Sequence, residues 1–356
     1  MSDWFLQCPR CSWRGAIVTT IDPCPRCRAD GIAMAPEVTR TGAAATPRDL
    51  LLPVDRPVTL GEGDTPLVPL RNSPGVFLKD ERANPTGSFK DRMASAAVSW
   101  ALSHGYDTVA LASTGNAALS VAAYAAAAGL RCVVLAKEGG VVPGVLEPLR
   151  AMNADLHLTD TYGARWDALA HGVHHQKWFP VSNYQTTPVS SHPVGVRAYR
   201  AIAYEIAEQL GRTAPDQVVI PVSRGDALAA VWAGFQELHT LGWIDRLPRM
   251  LAVVRLPSLR DALLQGLEQP AATPAEGPVE AVSISDPRAT AMAVRAVRES
   301  RGDVLVVDDD QLRTAQAQAY SRGWPLELSS AAVLAGIGMK DEVGTTVGLV
   351  TAAGSR

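Results

Sequence analysis

The chain has 356 residues, 47% of them hydrophobic and 19% charged, with a formal net charge of -3. That composition belongs to a folded protein large enough for one or two full cores and a small appendage. The near-neutral balance argues against nucleic acid or another polyanion as partner, and no run reaches the roughly 18 consecutive apolar residues of a spanning helix. The N-terminus carries charges and cysteine pairs with no apolar signal segment, so a cytoplasmic protein without a membrane partner is expected.

Four of the five cysteines lie in the first 27 residues, as Cys8-Pro9-Arg10-Cys11 and Cys24-Pro25-Arg26-Cys27. Each knuckle sets two thiolates on one side of a tight turn, and two knuckles close a tetrahedron. Residues 1–35 are therefore expected to form a ribbon around a structural zinc ion, with Cys8, Cys11, Cys24 and Cys27 as ligands. Two disulfides or four free thiols are the alternatives, and disulfides would need an oxidising compartment. Arg10, Arg14, Arg26 and Arg28 do not make the extended basic stripe of a nucleic-acid-binding ribbon. Residues 35–56, rich in Pro, Thr and Ala, read as a linker.

Beyond the linker, apolar runs alternate with amphipathic helical patterns. An Ala-rich helical pattern runs from Met93 to Leu102. Strands are expected at Thr108–Ala112, Cys132–Ala136, Ala154–Leu158, Gln217–Val222, Leu251–Val254, Asp303–Val307 and Thr346–Val350. Helices fit at Ala117–Ala128, Val145–Ala151, Val196–Leu210, Asp226–Thr240, Ser258–Leu267, Arg288–Glu299 and Gln311–Arg322. Such alternation predicts an α/β protein built of βα units with largely parallel sheets, which place ligands at the carboxyl ends of their strands. Cys132 reads as a core residue and Gln269–Pro278 as a surface insertion. Asp308-Asp309-Asp310 opens a helix and reads as a cap rather than a metal site.

Three loops fall where such sheets put a site. Lys90, in Asn84-Pro85-Thr86-Gly87-Ser88-Phe89-Lys90-Asp91-Arg92, follows a Pro/Gly turn and precedes a helix. It is either a plain helix-start lysine or an amine held at a pocket mouth, where desolvation makes it a nucleophile. Ser113-Thr114-Gly115-Asn116 lies at a strand end before a helix, and so does Ser223-Arg224-Gly225-Asp226-Ala227. Each is either a simple N-cap or an anion cradle of backbone N–H groups at a helix N-terminus. A reactive lysine with two anion cradles describes an aldehyde-and-phosphate cofactor beside a carboxylate substrate, which is pyridoxal phosphate acting on an amino acid. Thr351, after the last strand, offers a neutral hydroxyl to a ring nitrogen. That would leave the pyridine unprotonated and suit elimination and replacement better than transamination.

These motifs, together with Gly61-Glu62-Gly63-Asp64-Thr65-Pro66-Leu67, Ala201-Ile202-Ala203-Tyr204-Glu205-Ile206, Trp232-Ala233-Gly234-Phe235 and Glu327-Leu328-Ser329-Ser330-Ala331-Ala332, make the chain resemble the threonine synthases. These belong to the fold-type II (tryptophan synthase β-like) pyridoxal phosphate enzymes, and the likeness runs from about Leu60 to Thr351. The resemblance implies two doubly wound, largely parallel-sheet domains within residues 36–356, a smaller one nested at roughly 93–190, and a homodimer. It implies Lys90 as the Schiff-base lysine and Asn116 as partner of the cofactor's 3-hydroxyl. Ser113, Thr114 and Gly115 would surround the substrate carboxylate, Ser223, Arg224, Gly225, Asp226 and Ala227 the cofactor phosphate, and Thr351 would meet the pyridine nitrogen.

The resemblance departs at one segment. Where threonine synthases carry an arginine for the substrate phosphate, this chain has Gly195, in His192-Pro193-Val194-Gly195-Val196-Arg197-Ala198-Tyr199-Arg200. Arg197, two residues on, and His192 are the candidates to take over that phosphate, the alternative for His192 being a turn histidine before proline. The implied activity is a carbon–oxygen lyase converting phosphohomoserine and water to threonine and phosphate. A β-replacement or β-elimination enzyme on a serine or cysteine derivative, of cysteate synthase or ammonia-lyase type, is the rival. A non-catalytic protein that binds pyridoxal phosphate or an amino acid is a third reading.

Overall fold

Runs of β-branched and other apolar residues become strands, and the alanine-rich stretches that follow them become helices, as their patterns predict. The computed structural model describes residues 3–41, 46, 52–54, 56–141, 143–339 and 344–354. In chain order the strands are β1 (Trp4–Gln7), β2 (Arg14–Gly15), β3 (Glu37–Arg40), β4 (Leu67–Pro69), β5 (Val76–Asp80), β6 (Thr108–Ala112), β7 (Arg131–Lys137), β8 (Asp155–Thr159), β9 (Phe179–Pro180), β10 (Gln217–Pro221), β11 (Arg249–Val254), β12 (Asp303–Val306) and β13 (Thr346–Val350). The helices are α1 (Pro25–Ala29), α2 (Lys90–Ser103), α3 (Asn116–Ala128), α4 (Pro143–Ala151), α5 (Tyr162–His175), α6 (Pro193–Arg197), α7 (Arg200–Gln209), α8 (Asp226–Thr240), α9 (Ser258–Leu264), α10 (Ala291–Glu299), α11 (Asp309–Ser321) and α12 (Leu328–Gly338).

The chain divides into two units, residues 1–62 with 84–198 and residues 63–83 with 199–355. In the first, β8-β7-β6-β9 form a parallel sheet on which α3 and α5 pack, and α2 packs on α3 and α6. The same unit carries the N-terminal antiparallel sheet β2-β1-β3, with Leu6 opposite Val38. Strand β3 lies inside the segment expected to be a linker; part of that segment, at residues 42–45, 47–51 and 55, is outside the described residues.

In the second unit the sheet order is β12-β11-β10-β13-β5-β4, parallel except for the antiparallel edge strand β4. Helix α12 packs on β10, β11 and β13. Val219, Leu251, Val253 and Ala332 lie in one core cluster, and Val76, Leu78, Val333 and Val350 in another. The expected α/β, largely parallel architecture is present. No helix among the described residues is long and apolar enough to cross a membrane.

Two local expectations change. The helix expected over Val196–Leu210 starts earlier, with Pro193 at its first position, and is divided into α6 and α7. Around the division Ala198 N–H bonds to Gly195 O and Ile202 N–H to Tyr199 O, an i→i−3 tightening of the α-helical spacing. Strand β5 escapes the hydrophobic pattern because it ends in Lys79-Asp80, yet Lys79 is wholly buried.

That buried ammonium organises the second unit's first segment. Lys79 Nζ lies 2.6 Å from Glu205 Oε2 and donates to Thr65 O at 2.5 Å and Gln209 Oε1 at 3.0 Å. Glu205 in turn accepts the N–H groups of Asp64 and Thr65 at 3.0 and 3.2 Å, and Glu81 accepts the Thr65 hydroxyl at 2.6 Å. Removing one partner of such a pair strands the other's charge away from water. Lys79→Met is expected to destabilise the fold by about 3–5 kcal/mol, read as a lower denaturant midpoint. Lys79→Met/Glu205→Leu should recover part of the loss.

Candidate functional site

Lys90 is the first residue of α2 and is partly buried. The turn before it is closed by Gly87 N–H donating to Asn84 O at 2.7 Å, with Pro85 presetting the backbone at the turn's second position. Buried Asp91 pins that turn: its carboxylate accepts the Thr86 N–H at 2.6 Å and the Thr86 hydroxyl at 2.5 Å. Thr86 Oγ1 also lies 2.9 Å from Ser120 Oγ on α3. Burial pushes the Asp91 carboxyl above its usual range, while the bonds from Thr86 and Ser120 work against that shift. Lys90 Nζ stands 4.3 Å from the Phe89 ring centroid, within cation–π range. The lysine backbone is thus fixed from two sides.

In the same unit β6 delivers Ser113, Thr114, Gly115 and Asn116 to the start of α3. Ser113 N–H donates to Leu135 O at 3.1 Å, and Gly115 is the N-cap. The N-cap glycine has no side chain to cap the helix, Ser113 Oγ accepts the Gly115 N–H at 3.5 Å, and residues 112–117 are all partly exposed. The first turn of α3 therefore offers backbone donors and the positive end of its dipole to an anion.

The second unit repeats the arrangement after β10. Gly225, with φ +108°, is the N-cap of α8, again without a side-chain cap. A Cβ at Gly225 would stand 2.3 Å from Ala293 Cβ, so only glycine fits the turn. Thr290 fixes it by donating its N–H and its hydroxyl to Arg224 O, both at 2.9 Å. Asp226 sits in the first turn of the helix rather than at its cap, and the Arg224 guanidinium lies 3.8 Å from Asp286. Thr351 follows β13 and is buried, with its hydroxyl 2.7 Å from that of Ser330 on α12. The sequence signal for Ser330 was present in the Glu327–Ala332 run, but pattern alone gives it no role.

The four N-terminal cysteines converge. Their Sγ atoms all lie within 4.8 Å of one another, with Cys8–Cys27 and Cys11–Cys24 at 3.5 Å and Cys27–Cys11 at 3.7 Å. A tetrahedron with metal–sulfur bonds of about 2.3 Å has edges of about 3.8 Å, whereas a disulfide needs about 2.05 Å. The spacing fits a four-thiolate metal site and not two disulfides. Burial pushes the Cys8 thiol up and raises Cys27 to about 11, while the Trp13 backbone N–H draws Cys11 down to about 7. Holding these sulfurs together as thiolates would require a cation to balance their charge.

His192 and Arg197 are engaged elsewhere than expected. Arg197, 2% exposed, donates from Nη1 to Val38 O at 2.5 Å, with its guanidinium 5.0 Å from the Trp4 ring. His192 is wholly buried, packs on Phe179 at 4.5 Å and bonds through Nε2 to Val18 O at 3.3 Å. Tyr184 OH accepts the Ile21 N–H at 3.3 Å, and Gln185 donates to Ile21 O at 3.0 Å. Both side chains hold the N-terminal sheet and its loops. Gly195 is walled off as well, since a Cβ there would meet Met93 Cγ at 2.9 Å and Met93 O at 3.2 Å. Helix α2 occupies the space that an arginine at this position would enter.

A family model described as pyridoxal-phosphate dependent enzyme matches residues 58–351. The chain is 37% identical over 304 residues to a protein of Mycobacterium bovis named threonine synthase, covering 83% of this chain and 81% of that one. It is 36% identical over 302 residues to the protein of that name from Methanosarcina acetivorans, covering 81% and 72%. Among solved structures, maize serine racemase superposes with a TM-score of 0.66 at 19% identity, over 79% of this chain and 84% of that one. A fungal L-serine ammonia-lyase from Rhizomucor miehei gives 0.65 at 20% identity, over 84% and 95%. At these identities the two structures bear on the fold alone.

The buried histidine gives a pH prediction. Burial lowers His192 from 6.5 to about 3, so it stays neutral in the fold while an unfolded-chain histidine protonates near 6.5. Between those values the unfolded state binds more protons, so stability rises with pH and is lost as pH falls. Going from pH 7 to 5 should cost about 2 kcal/mol through this group. In His192→Gln the difference between denaturant midpoints at the two pH values should shrink accordingly.

Proposed function

The chain belongs to the pyridoxal-phosphate dependent enzymes, and from that premise we propose that it is a carbon–oxygen lyase converting phosphohomoserine and water to threonine and phosphate. The observation that carries this reading is the identity to threonine synthases over four-fifths of the chain. The residues present fit the cofactor. Two helix N-termini without side-chain caps suit two anions, Gly225 leaves no room for a side chain, and Thr351 supplies a neutral hydroxyl. When bound, pyridoxal phosphate supplies an electron sink for charge developing beside the amino group.

In this reading Lys90 would hold the cofactor aldehyde and would move protons at the substrate's Cα, Cβ and Cγ. Ser113, Thr114 and Gly115 hold the substrate carboxylate, and Asn116 bonds the cofactor's 3-hydroxyl. The backbone of Ser223, Arg224, Gly225, Asp226 and Ala227 takes the cofactor phosphate, and Thr351 meets the ring nitrogen. Overall, the Cγ–O bond breaks and phosphate leaves, a Cβ–H bond is lost and a Cγ–H bond gained, and water supplies the hydroxyl that forms the Cβ–O bond. Cys8, Cys11, Cys24 and Cys27 hold a structural zinc ion whose four thiolates leave no open position for chemistry. A homodimer in the cytoplasm is the setting the family resemblance suggests.

One observation favours a second reading. The position where a phosphate-holding arginine would stand is Gly195, closed off by Met93. That suits a serine or cysteine derivative undergoing β-replacement or β-elimination, without a γ-phosphate.

A substrate panel decides between them. Phosphate release and threonine formation from phosphohomoserine are the expected result; ammonia and pyruvate from serine derivatives, with phosphohomoserine inert, would overturn the first reading. Lys90→Ala should lower kcat at least about 100-fold, the scale of a lost general acid–base group, and abolish the cofactor's covalent attachment to the protein. Cys24→Ser should lose bound zinc in elemental analysis, and full retention would refute the four-cysteine site.

A further inference from the structure

We infer that Ser330 is a positioning residue that commits the Thr351 hydroxyl to donate its proton away from the protein, toward an unprotonated ring nitrogen. The inference rests on the proposed placement of Thr351 at the cofactor ring.

Ser330 is wholly buried on α12, and its Oγ accepts the Ala352 N–H at 2.9 Å. The Thr351 hydroxyl, 7% exposed, lies 2.7 Å away, and distance alone leaves either oxygen as the donor. Counting protons decides. A hydroxyl has one proton and two lone pairs. Among the described residues, Ser330 Oγ has two partners, the Ala352 N–H and Thr351 Oγ1. The amide can only donate, so Thr351 Oγ1 is the acceptor open to the Ser330 proton. The nearby carbonyls are committed elsewhere: Glu327 O takes the N–H groups of Ser330 and Ala331, and Leu326 O takes Gln316 and the Tyr320 hydroxyl.

If Thr351 donated to Ser330 instead, the Ser330 proton would be buried without an acceptor, which is costly. The favoured order is therefore Ala352 N–H to Ser330 Oγ, then Ser330 O–H to Thr351 Oγ1. Thr351 then has its own proton left to give, and no protein acceptor bonds it among the described residues. A hydroxyl held in that state matches a ring nitrogen with a lone pair and disfavours a protonated one. The pair sets the cofactor's protonation state without any ionisable side chain.

The test uses holoenzyme loaded with pyridoxal phosphate carrying a 15N label in the ring. The wild-type resonance should be that of an unprotonated, hydrogen-bonded nitrogen, and Ser330→Ala should move it at least halfway to the Thr351→Val position. With that move kcat should fall about ten-fold, the effect of one lost buried hydrogen bond. Ser330→Thr keeps the hydroxyl and should keep the wild-type resonance; Ser330→Cys, a weak donor that still fills the site, should move it if Ser330→Ala does not load cofactor. A wild-type resonance in Ser330→Ala and Ser330→Cys, with a shifted one in Thr351→Val, overturns the inference alone. A protonated nitrogen in the wild type overturns the donor order. No shift in Thr351→Val would instead overturn the placement of Thr351 at the ring.

Discussion

Strand polarity is the constraint on which the candidate anion-binding loops of each unit depend. A parallel strand that feeds a helix brings the strand's end and the helix's first free amides to one place. Strand β6 does this for Ser113 to Asn116 and β10 for Ser223 to Ala227, and neither helix end is capped by a side chain. Strand β13, parallel to β10 and β5, carries Thr351 just past its carboxyl end. Both N-caps are glycines, which bring no capping side chain of their own to the place an anion can take.

Buried polar groups then fix the loops within each unit. Asp91 ties the turn before Lys90 to α3 through Thr86 and Ser120, so the lysine and the loop that opens α3 share a rigid support. In the second unit, Lys79, Glu205, Thr65 and Gln209 do the same for the segment leading into β4 and β5. Each network would be expensive if half satisfied, and each therefore selects one backbone arrangement over its neighbours. Ser330 and Thr351 add a buried hydroxyl pair 2.7 Å apart, tied to the backbone by the Ala352 N–H.

The segment from Val181 to Arg197 shows how a tertiary contact can reassign a motif. Its charged and aromatic residues are spent on the N-terminal region: Arg197 on Val38 and Trp4, His192 on Val18, Tyr184 on Ile21. Val18 and Ile21 lie in the loop between the two cysteine pairs, so these side chains grip the segment that the pairs bracket. A metal there would act on the remainder of the unit through that grip, by order rather than by chemistry.

By itself the sequence determined the parallel α/β architecture, because hydrophobic period and turn residues are local properties. It also determined the cysteine tetrahedron, since two short knuckles fix their own geometry, and it singled out Lys90 and the two glycine-containing loops. Only the tertiary structure decided the rest. Burial turned Lys79 from a strand-breaking charge into the centre of a network, and the closeness of α2 left no room for a side chain at Gly195. Docking of the N-terminal sheet set His192 against Val18 and Arg197 against Val38 and Trp4. The partnership of Ser330 with Thr351 spans a separation of 21 residues, with the chain passing from α12 into β13 between them. Hydrogen bonds of that kind depend on where elements pack, and no residue's immediate neighbours in the chain encode it.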